Sequence, residues 1–407
     1  MKLDLAVILM CVGMGSCNPG LPTAPDLYVD FEMIDTPTSP LNPVGKSYLE
    51  GVYEVVKGND ELGNPIVGKW VGNRWCLYSQ QDVVFSVCAG GSLGDSSIQL
   101  WGYTRIVRSG SGNKVQFTVS PNDGAREVIS ARPPSSLRFQ GVTDNGEQIE
   151  LRRIRNINSS RFERMAHRGG ARNSERLGIS ENSIPMVRYA PLMGATGVEV
   201  DVQRTRDNQL IIFHDDSFSP RTVQGAYLLG KVGNYDLEQI RALGKLINGE
   251  PIPTLAELLT AVIDDTDLKL VWLDIKDAGE VGQVVQVQKE MLTYAATKGR
   301  DSLKILMGIP SQEVLDAWIP YSTESDALCE LEVSTVLAYP HILVWAPTWT
   351  RDITPGYVAE VHSQGKRVFT WTVDVREGML DYLNRGDIDG ILTNYPSLVT
   401  ALHGSKE

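Results

Sequence analysis

From residue 164 onward, short apolar runs alternate with amphipathic segments, and this alternation constrains the fold more than any other feature. Candidate strands lie at 164–167, 197–203, 210–214, 268–275, 303–308, 328–333, 342–347, 367–373 and 388–393. Candidate helices lie at 183–194, 236–243, 255–263, 280–297, 356–364 and 376–384. Thr254, with Glu257 three residues later, forms a capping box at the start of one of them. Repeated strand-then-helix units bury their apolar faces as a parallel sheet covered by helices, and a run of this length predicts an α/β barrel of the TIM type over 162–403. Nine strand candidates compete for eight places. The link from Gln203 to Leu210 is too short for a crossover helix, so one strand lies outside the barrel or is misassigned.

The preceding stretch, 46–155, has a different texture. Runs rich in Val, Ile, Tyr, Phe and Trp recur at 51–56, 66–71, 74–78, 83–87, 98–106, 114–119, 137–140 and 148–154. Turn clusters such as Gly110-Ser111-Gly112-Asn113 and Asp144-Asn145-Gly146 separate them. This even spacing predicts an all-β domain, either a sandwich or a small antiparallel barrel resembling the lipocalins and their relatives. The stretch contains no histidine and no catalytic constellation. A structural or spacer role is expected, with a ligand pocket or a carbohydrate-binding face as alternatives. Cys76 and Cys88 flank a candidate hairpin. A turn centred on Asp82 would set them opposite each other, able to pair in an oxidising compartment. The alternative is two separate buried thiols, and Cys329 reads as a core residue.

The apolar run at 5–14 is too short to span a bilayer, which takes about 20 residues. Behind Lys2 it reads as the hydrophobic region of a secretory signal. Met14-Gly15-Ser16-Cys17 resembles a bacterial lipoprotein signal, in which Cys17 becomes the lipidated first residue. A plain signal peptide, or a buried N-terminal segment, is the alternative. The expected organisation is a signal at 1–17, a flexible tether at 18–45 rich in Pro, Asn, Thr and Asp, the β-rich domain at 46–155, a polar joint and the barrel. The signal implies a bacterial cell envelope, with the protein held to the membrane by an N-terminal lipid anchor and facing the periplasm or the cell surface. A net charge of −12 argues against nucleic acid as a partner and against broad binding to anionic lipid, and leaves room for a local basic site for one phosphate.

Polar residues recur at the C-terminal ends of the barrel strands. His167-Arg168-Gly169-Gly170 ends the first, and Glu199 and Asp201 stand two apart on the second. His214-Asp215 ends the next run, and Asp274 and Lys276 again stand two apart. Residues i and i+2 of a strand face the same way. Taken singly, each has a bland explanation: a structural histidine, a solvated edge, or a surface ion pair of little energetic weight. Taken together, they converge on the mouth of a barrel, where TIM folds hold their catalytic groups. Three carboxylates gathered there repel one another unless a cation lies between them, and hard oxygen ligands select Ca²⁺ or Mg²⁺ over zinc.

These motifs, joined by Glu181-Asn182-Ser183, Thr205, Asp207, Ile252-Pro253-Thr254-Leu255, Trp371-Thr372-Val373-Asp374 and Asp389-Gly390-Ile391-Leu392-Thr393-Asn394-Tyr395-Pro396, resemble in order the signature of the glycerophosphodiester phosphodiesterase family over 162–403. The β-rich domain is not part of that family's core. The resemblance implies metal-dependent cleavage of a small-molecule or lipid-derived phosphodiester. It implies that Glu199, Asp201 and Asp274 ligate the metal and that His167 and His214 act as general acid and base. It further implies that Arg168 and Lys276 hold the phosphate oxygens, that Trp371 packs against the glycerol, and that Glu181 ligates or orients. Asp274 stands where the family usually has Glu, one methylene longer, so the cation sits closer to that strand or a water bridges. The rival readings are a phospholipase C of the phosphatidylinositol type or a sphingomyelinase-D-like lipid phosphodiesterase, and a non-catalytic surface binding protein.

Overall fold

The computed structural model describes residues 38–407 except 59–61, 82, 95 and 226. The expected signal, Cys17 and residues 18–37 of the tether lie outside the described residues. In the N-terminal domain the strands are β1 (Gly51–Lys57), β2 (Ile66–Val71), β3 (Arg74–Ser79), β4 (Val84–Leu93), β5 (Ser97–Ile106), β6 (Ser111–Val119), β7 (Arg138–Thr143) and β8 (Gln148–Arg155). Each pairs antiparallel with the next, and β8 returns to β1, which closes a barrel and leaves no free edge. Of the two predicted architectures, the barrel is the one observed. Its inward side chains are aromatic. Trp75 stacks on Phe139 at 5.7 Å, and Tyr53 and Phe117 meet Phe139 edge-on at 5.6 and 6.2 Å. These rings occupy the interior in which a lipocalin-like pocket would lie.

Two short helices qualify the all-β expectation. α1 (Pro43–Leu49) opens on Asn42, whose Oδ1 accepts the Gly45 N–H at 2.7 Å, and α2 (Ala125–Ile129) packs against it. Gly45 permits the approach, because a Cβ there would meet the Val128 carbonyl oxygen at 2.6 Å. Ser39 also exchanges backbone hydrogen bonds with Ser92 at 2.9 and 2.8 Å. The end of the expected tether is therefore built into the domain.

The cysteine pairing fails on register. Trp75 stands opposite Cys88, and Cys76 stands opposite Val87. A shift of one residue puts the two thiols on opposite faces of the sheet, with Cys88 in the cluster of the barrel interior and Cys76 in the cluster facing the second domain. Cys76, Cys88 and Cys329 are all free and buried.

The C-terminal domain begins with β9 (Glu163–Ala166), α3 (Ile184–Tyr189), β10 (Gly197–Arg204) and β11 (Leu210–Ile212). β11 pairs antiparallel with β10 and stands outside the barrel, which resolves the surplus strand candidate. Behind it lie two small ribbons, β12 (Ser217–Phe218) with β14 (Gly230–Lys231) and β13 (Val223–Gln224) with β15 (Lys245–Leu246), and the helix α4 (Leu237–Leu243). There follow α5 (Leu255–Asp265), β16 (Leu270–Ile275), α6 (Val281–Thr297), β17 (Lys304–Ile309), α7 (Gln312–Trp318), β18 (Ala327–Cys329), α8 (Val333–Ala338) and β19 (Ile342–Trp345). The domain ends with α9 (Pro355–Ser363), β20 (Arg367–Thr370), α10 (Arg376–Arg385), β21 (Gly390–Thr393) and α11 (Pro396–Gly404). The parallel order β9-β10-β16-β17-β18-β19-β20-β21 closes back on β9. The predicted capping box of Thr254 and Glu257 is formed at α5. Side-chain alternation sorts each strand. Val198, Val200, Val202, Leu273 and Ile275 pack under the helices, whereas Met165, Trp272, Leu306, Leu328 and Phe369 plug the barrel. The plug leaves only the strand ends for polar groups.

The two barrels share an apolar seam in which Val52, Val67, Phe85 and Tyr103 meet Leu398, Val399 and Leu402 of α11. The seam carries hydrogen bonds from Tyr78 Oη to the Leu192 carbonyl at 3.0 Å, between the Tyr103 and Tyr189 hydroxyls at 2.5 Å, and from Arg376 Nε to the Gln80 carbonyl at 3.1 Å.

Candidate active site

Strand pairing creates the acidic centre. Glu199 and Asp201 both point inward from β10, and the parallel register sets Asp201 beside Asp274 of β16. One oxygen from each of the three lies within 4.8 Å of the others. Glu199 and Asp201 are buried, and Asp274 is partly exposed. Burial, reinforced by the charges of Asp201 and Asp274, pushes the Glu199 carboxyl well above its usual range. Burial acts in the same direction on Asp201, yet Lys276 and His214 outweigh it and lower that group to about 2. Glu199 Oε2 accepts the Arg168 N–H at 2.7 Å, while Glu199 Oε1 is buried without a hydrogen-bond partner among the described residues. A desolvated carboxylate oxygen with no donor, facing two more carboxylates, is the arrangement that a bound cation satisfies. The donor set, all oxygen, suits a hard divalent ion.

The turn after β9 shapes the other side. Arg168 takes a left-handed conformation (φ 52°, ψ 42°), and Gly169 follows at φ 81°, which aims the Arg168 N–H at Glu199. A Cβ on Gly170 would meet Met186 Sδ at 2.4 Å, so glycine lets the turn lie against α3. His167 Nδ1 stands 3.0 Å from Asn394 Oδ1, and its Nε2 stands 3.8 Å from Glu199 Oε2. The orientation of the Asn394 amide is determined by Asp374, whose Oδ2 accepts from Asn394 Nδ2 at 2.6 Å. The oxygen of Asn394 therefore faces His167, Nδ1 carries the proton, and the Nε2 lone pair faces the acidic centre. Burial, aided by the Arg168 charge, lowers the His167 pKa to about 4 and keeps the ring neutral near pH 7.

His214 follows β11, and its Nδ1 bonds Asp215 Oδ1 at 2.7 Å. Arg221 bonds the other oxygen of Asp215. The outlying β11 thus still contributes to the mouth, because its antiparallel pairing runs the chain from the end of β10 back to the level of Asp201, whose carbonyl accepts the Phe213 N–H at 2.9 Å.

Both cations expected to meet phosphate are engaged by carboxylates. Arg168 bonds Glu181 Oε1 at 2.8 Å, with its Nε buried and unpartnered. Lys276 Nζ lies 2.7 Å from Asp201 Oδ1 and also bonds Asp274. Glu181 orients Arg168 and accepts the Asn173 N–H at 2.8 Å, outside the acidic cluster. Trp371 is half-buried. Its Nε1 donates to the Ala346 carbonyl at 2.8 Å and its ring stands edge-on to Trp272 at 6.4 Å, on top of the barrel plug.

Several site residues escaped sequence reasoning. Asn182 binds Asp201 Oδ2 through Nδ2 at 2.7 Å and accepts the Asp201 N–H at 3.2 Å. Asn394 and Asp374 hold His167. Glu330, just past β18, has its carboxyl raised to about 8 by burial and by the Asp274 charge. Asn182, Asp374 and Asn394 were legible as motif residues, although spacing alone gives them no role.

The profile of the Glycerophosphoryl diester phosphodiesterase family matches residues 167–309, from the histidine turn to the end of β17. A glycerophosphodiester phosphodiesterase of Caldanaerobacter subterraneus subsp. tengcongensis is 29% identical over 58% of this chain and 96% of its own length. The glycerophosphodiester phosphodiesterase 1 of Homo sapiens is 30% identical over 32% of this chain and 38% of its own length. A crystal structure of a glycerophosphodiester phosphodiesterase from Parabacteroides distasonis aligns with TM-score 0.48 at 20% identity, covering 59% of this chain and 96% of that one. By this profile match, and by its motifs in order around one barrel mouth, the C-terminal domain of this chain is similar to the glycerophosphodiester phosphodiesterase family over residues 167–309.

Proposed function

We propose that the barrel hydrolyses glycerophosphodiesters to glycerol phosphate and an alcohol. The observation that carries this reading is the Nε2 lone pair of a neutral His167 facing three clustered carboxylates. Glu199, Asp201 and Asp274 would hold a Ca²⁺ or Mg²⁺ ion, which would supply Lewis-acid polarisation of the phosphodiester. His167 accepts a proton at Nε2 from the nucleophile, either water or the neighbouring glycerol hydroxyl; in the second case the product is a cyclic phosphate, which water then opens to glycerol phosphate. His214, steadied by Asp215, protonates the departing alcohol oxygen. Arg168 presents its spare Nε to a phosphate oxygen, Lys276 neutralises charge beside Asp201 and Asp274, and Trp371 offers a ring to the glycerol carbons.

The test is a panel of glycerophosphodiesters assayed with and without EDTA. Turnover that EDTA abolishes and Ca²⁺ or Mg²⁺ restores is expected, as is loss of turnover in folded His167→Ala. Normal activity in that variant refutes the assignment. Trp349, which is 57% exposed beyond the C-terminal end of β19, favours a second reading with an intact lipid as substrate. Faster cleavage of phospholipid vesicles than of glycerophosphocholine selects it. We also propose anchoring to a bacterial envelope membrane through Cys17. Labelling with radioactive palmitate that persists in Cys17→Ser refutes this.

A further inference from the structure

A cleft of 540 Å³ lies between the two barrels, within the size range of small-molecule sites. The β domain supplies Asn64, Gln80 and Arg108, and the barrel supplies Val375 and Arg376 at the start of α10. Most arginines around the mouth are neutralised: Arg168 by Glu181, Arg172 by Glu175, Arg221 by Asp215 and Arg351 by Glu332. The two in the cleft have no such partner among the described residues. Arg108 is exposed, rests 5.3 Å above the Tyr395 ring, and meets no carboxylate of the described residues within salt-bridge distance. Arg376 donates Nε to the Gln80 carbonyl, which fixes its plane and leaves its terminal nitrogens without a partner among the described residues. Glu377 also lines the cleft and pairs with neither among the described residues, so the described lining carries two guanidinium groups against one carboxylate in a chain of net charge −12.

The position adds to the argument. Val375, which lines the cleft, directly follows Asp374, and Tyr395, on which Arg108 rests, directly follows Asn394, so the cleft adjoins the pair that holds His167. Two guanidinium groups with no carboxylate partner among the described residues, one of them held in plane, match the oxygens of a phosphate group by charge-assisted bonds.

We propose that this cleft is a second anion site, separate from the acidic centre, which takes a phosphate-type oxyanion. The anion is a phosphate carried on the alcohol part of the substrate or free phosphate. Only the first source rests on the phosphodiesterase reading above.

The variant is Arg108→Gln/Arg376→Gln in the full chain, with Arg108→Lys/Arg376→Lys as the charge-preserving control and the melting temperature as the check on folding. Equilibrium dialysis with inorganic phosphate in EDTA needs no turnover. The Gln variant is expected to bind one phosphate fewer per chain than wild type, and the Lys variant to retain it. Equal stoichiometry in all three overturns the proposal. A second arm compares glycerophosphocholine with 1,3-bis(glycerophospho)glycerol, whose alcohol part carries a second phosphate. In the Gln variant, a KM raised about tenfold for the latter alone identifies a substrate-borne anion. KM values unchanged for both, with the dialysis site lost, identify free phosphate as the ligand. If wild type cleaves neither compound, the phosphodiesterase reading fails, while the dialysis result still decides the cleft.

Discussion

Replacing Asn394 with Ala tests whether the tautomer of His167 matters. The substitution removes the acceptor 3.0 Å from His167 Nδ1 and the donor that bonds Asp374 Oδ2. Asp374 keeps the residue-394 backbone N–H at 2.8 Å and the Thr393 hydroxyl at 3.0 Å, so the turn retains its frame. His167 is left with a buried N–H lacking a partner, which costs about 1–3 kcal/mol. That cost drives the proton to Nε2, where Glu199 Oε2 waits at 3.8 Å, and a protonated Nε2 is no base. At about 1.4 kcal/mol per decade, the productive tautomer and kcat fall about 5- to 100-fold. Asn394 bonds none of the three cluster carboxylates, so the divalent-ion concentration giving half-maximal rate stays constant. The assay is steady-state turnover of glycerophosphocholine across a metal titration, with melting temperature as the control. Asp374→Asn acts in the same direction, because it removes the acceptor that fixes the Asn394 amide. Unchanged kcat in both variants refutes the tautomer argument, and a loss that extra metal repairs assigns Asn394 to the cation site instead.

Glu199→Gln is expected to have opposite effects on two observables. It removes a buried charge crowded by Asp201 and Asp274, so the protein in EDTA melts higher, by about 2–4 °C for each kcal/mol relieved. It also eliminates the rise in melting temperature that Ca²⁺ or Mg²⁺ gives wild type; a metal-induced rise that survives means the ion binds elsewhere. His403, stacked on Phe162 and 3.0 Å from Ser160 Oγ, has its pKa lowered from 6.5 to about 4, chiefly by burial. The folded state thus favours the neutral ring, so its stabilisation is complete above pH 6.5 and is lost as pH falls towards 4, by no more than about 3 kcal/mol. Urea denaturation of wild type and His403→Gln across that window should show a steeper acid loss in wild type, and parallel curves contradict it. Tyr103→Phe leaves the Tyr189 hydroxyl alone in the buried seam and is expected to destabilise by about 1–3 kcal/mol. Adding Tyr189→Phe recovers part of that loss, and strict additivity in the double-mutant cycle shows that the hydroxyls do not interact.

What the sequence revealed and what it hid divide along physical lines. Strands were legible where alternation sorts two chemically different faces, as at 197–204, where valines alternate with Glu199 and Asp201. Helices were legible where one side meets water. α11 was missed because both barrels cover it and every residue from Pro396 to Gly404 is buried, so it has no polar face to betray its period. The β-branched Val333, the first residue of α8, read as the end of a strand at 328–333, and that reading placed Glu330 mid-strand and concealed a carboxyl at the mouth. The cysteine pair failed by one residue because a hairpin register depends on the turn, and pattern alone did not fix the turn between β3 and β4. The acidic centre succeeded for the converse reason. Its geometry needs only strand alternation within β10 and one parallel register to β16, both imposed by burying valines under helices. Asn394 needs more: a second strand, an amide orientation and Asp374 behind it. Groups positioned by strand alternation are readable in one dimension, whereas groups positioned by other side chains become visible only once the chain is folded. The cleft between the barrels belongs to the second kind, because Arg108 and Arg376 stand 268 residues apart and nothing in the sequence links them.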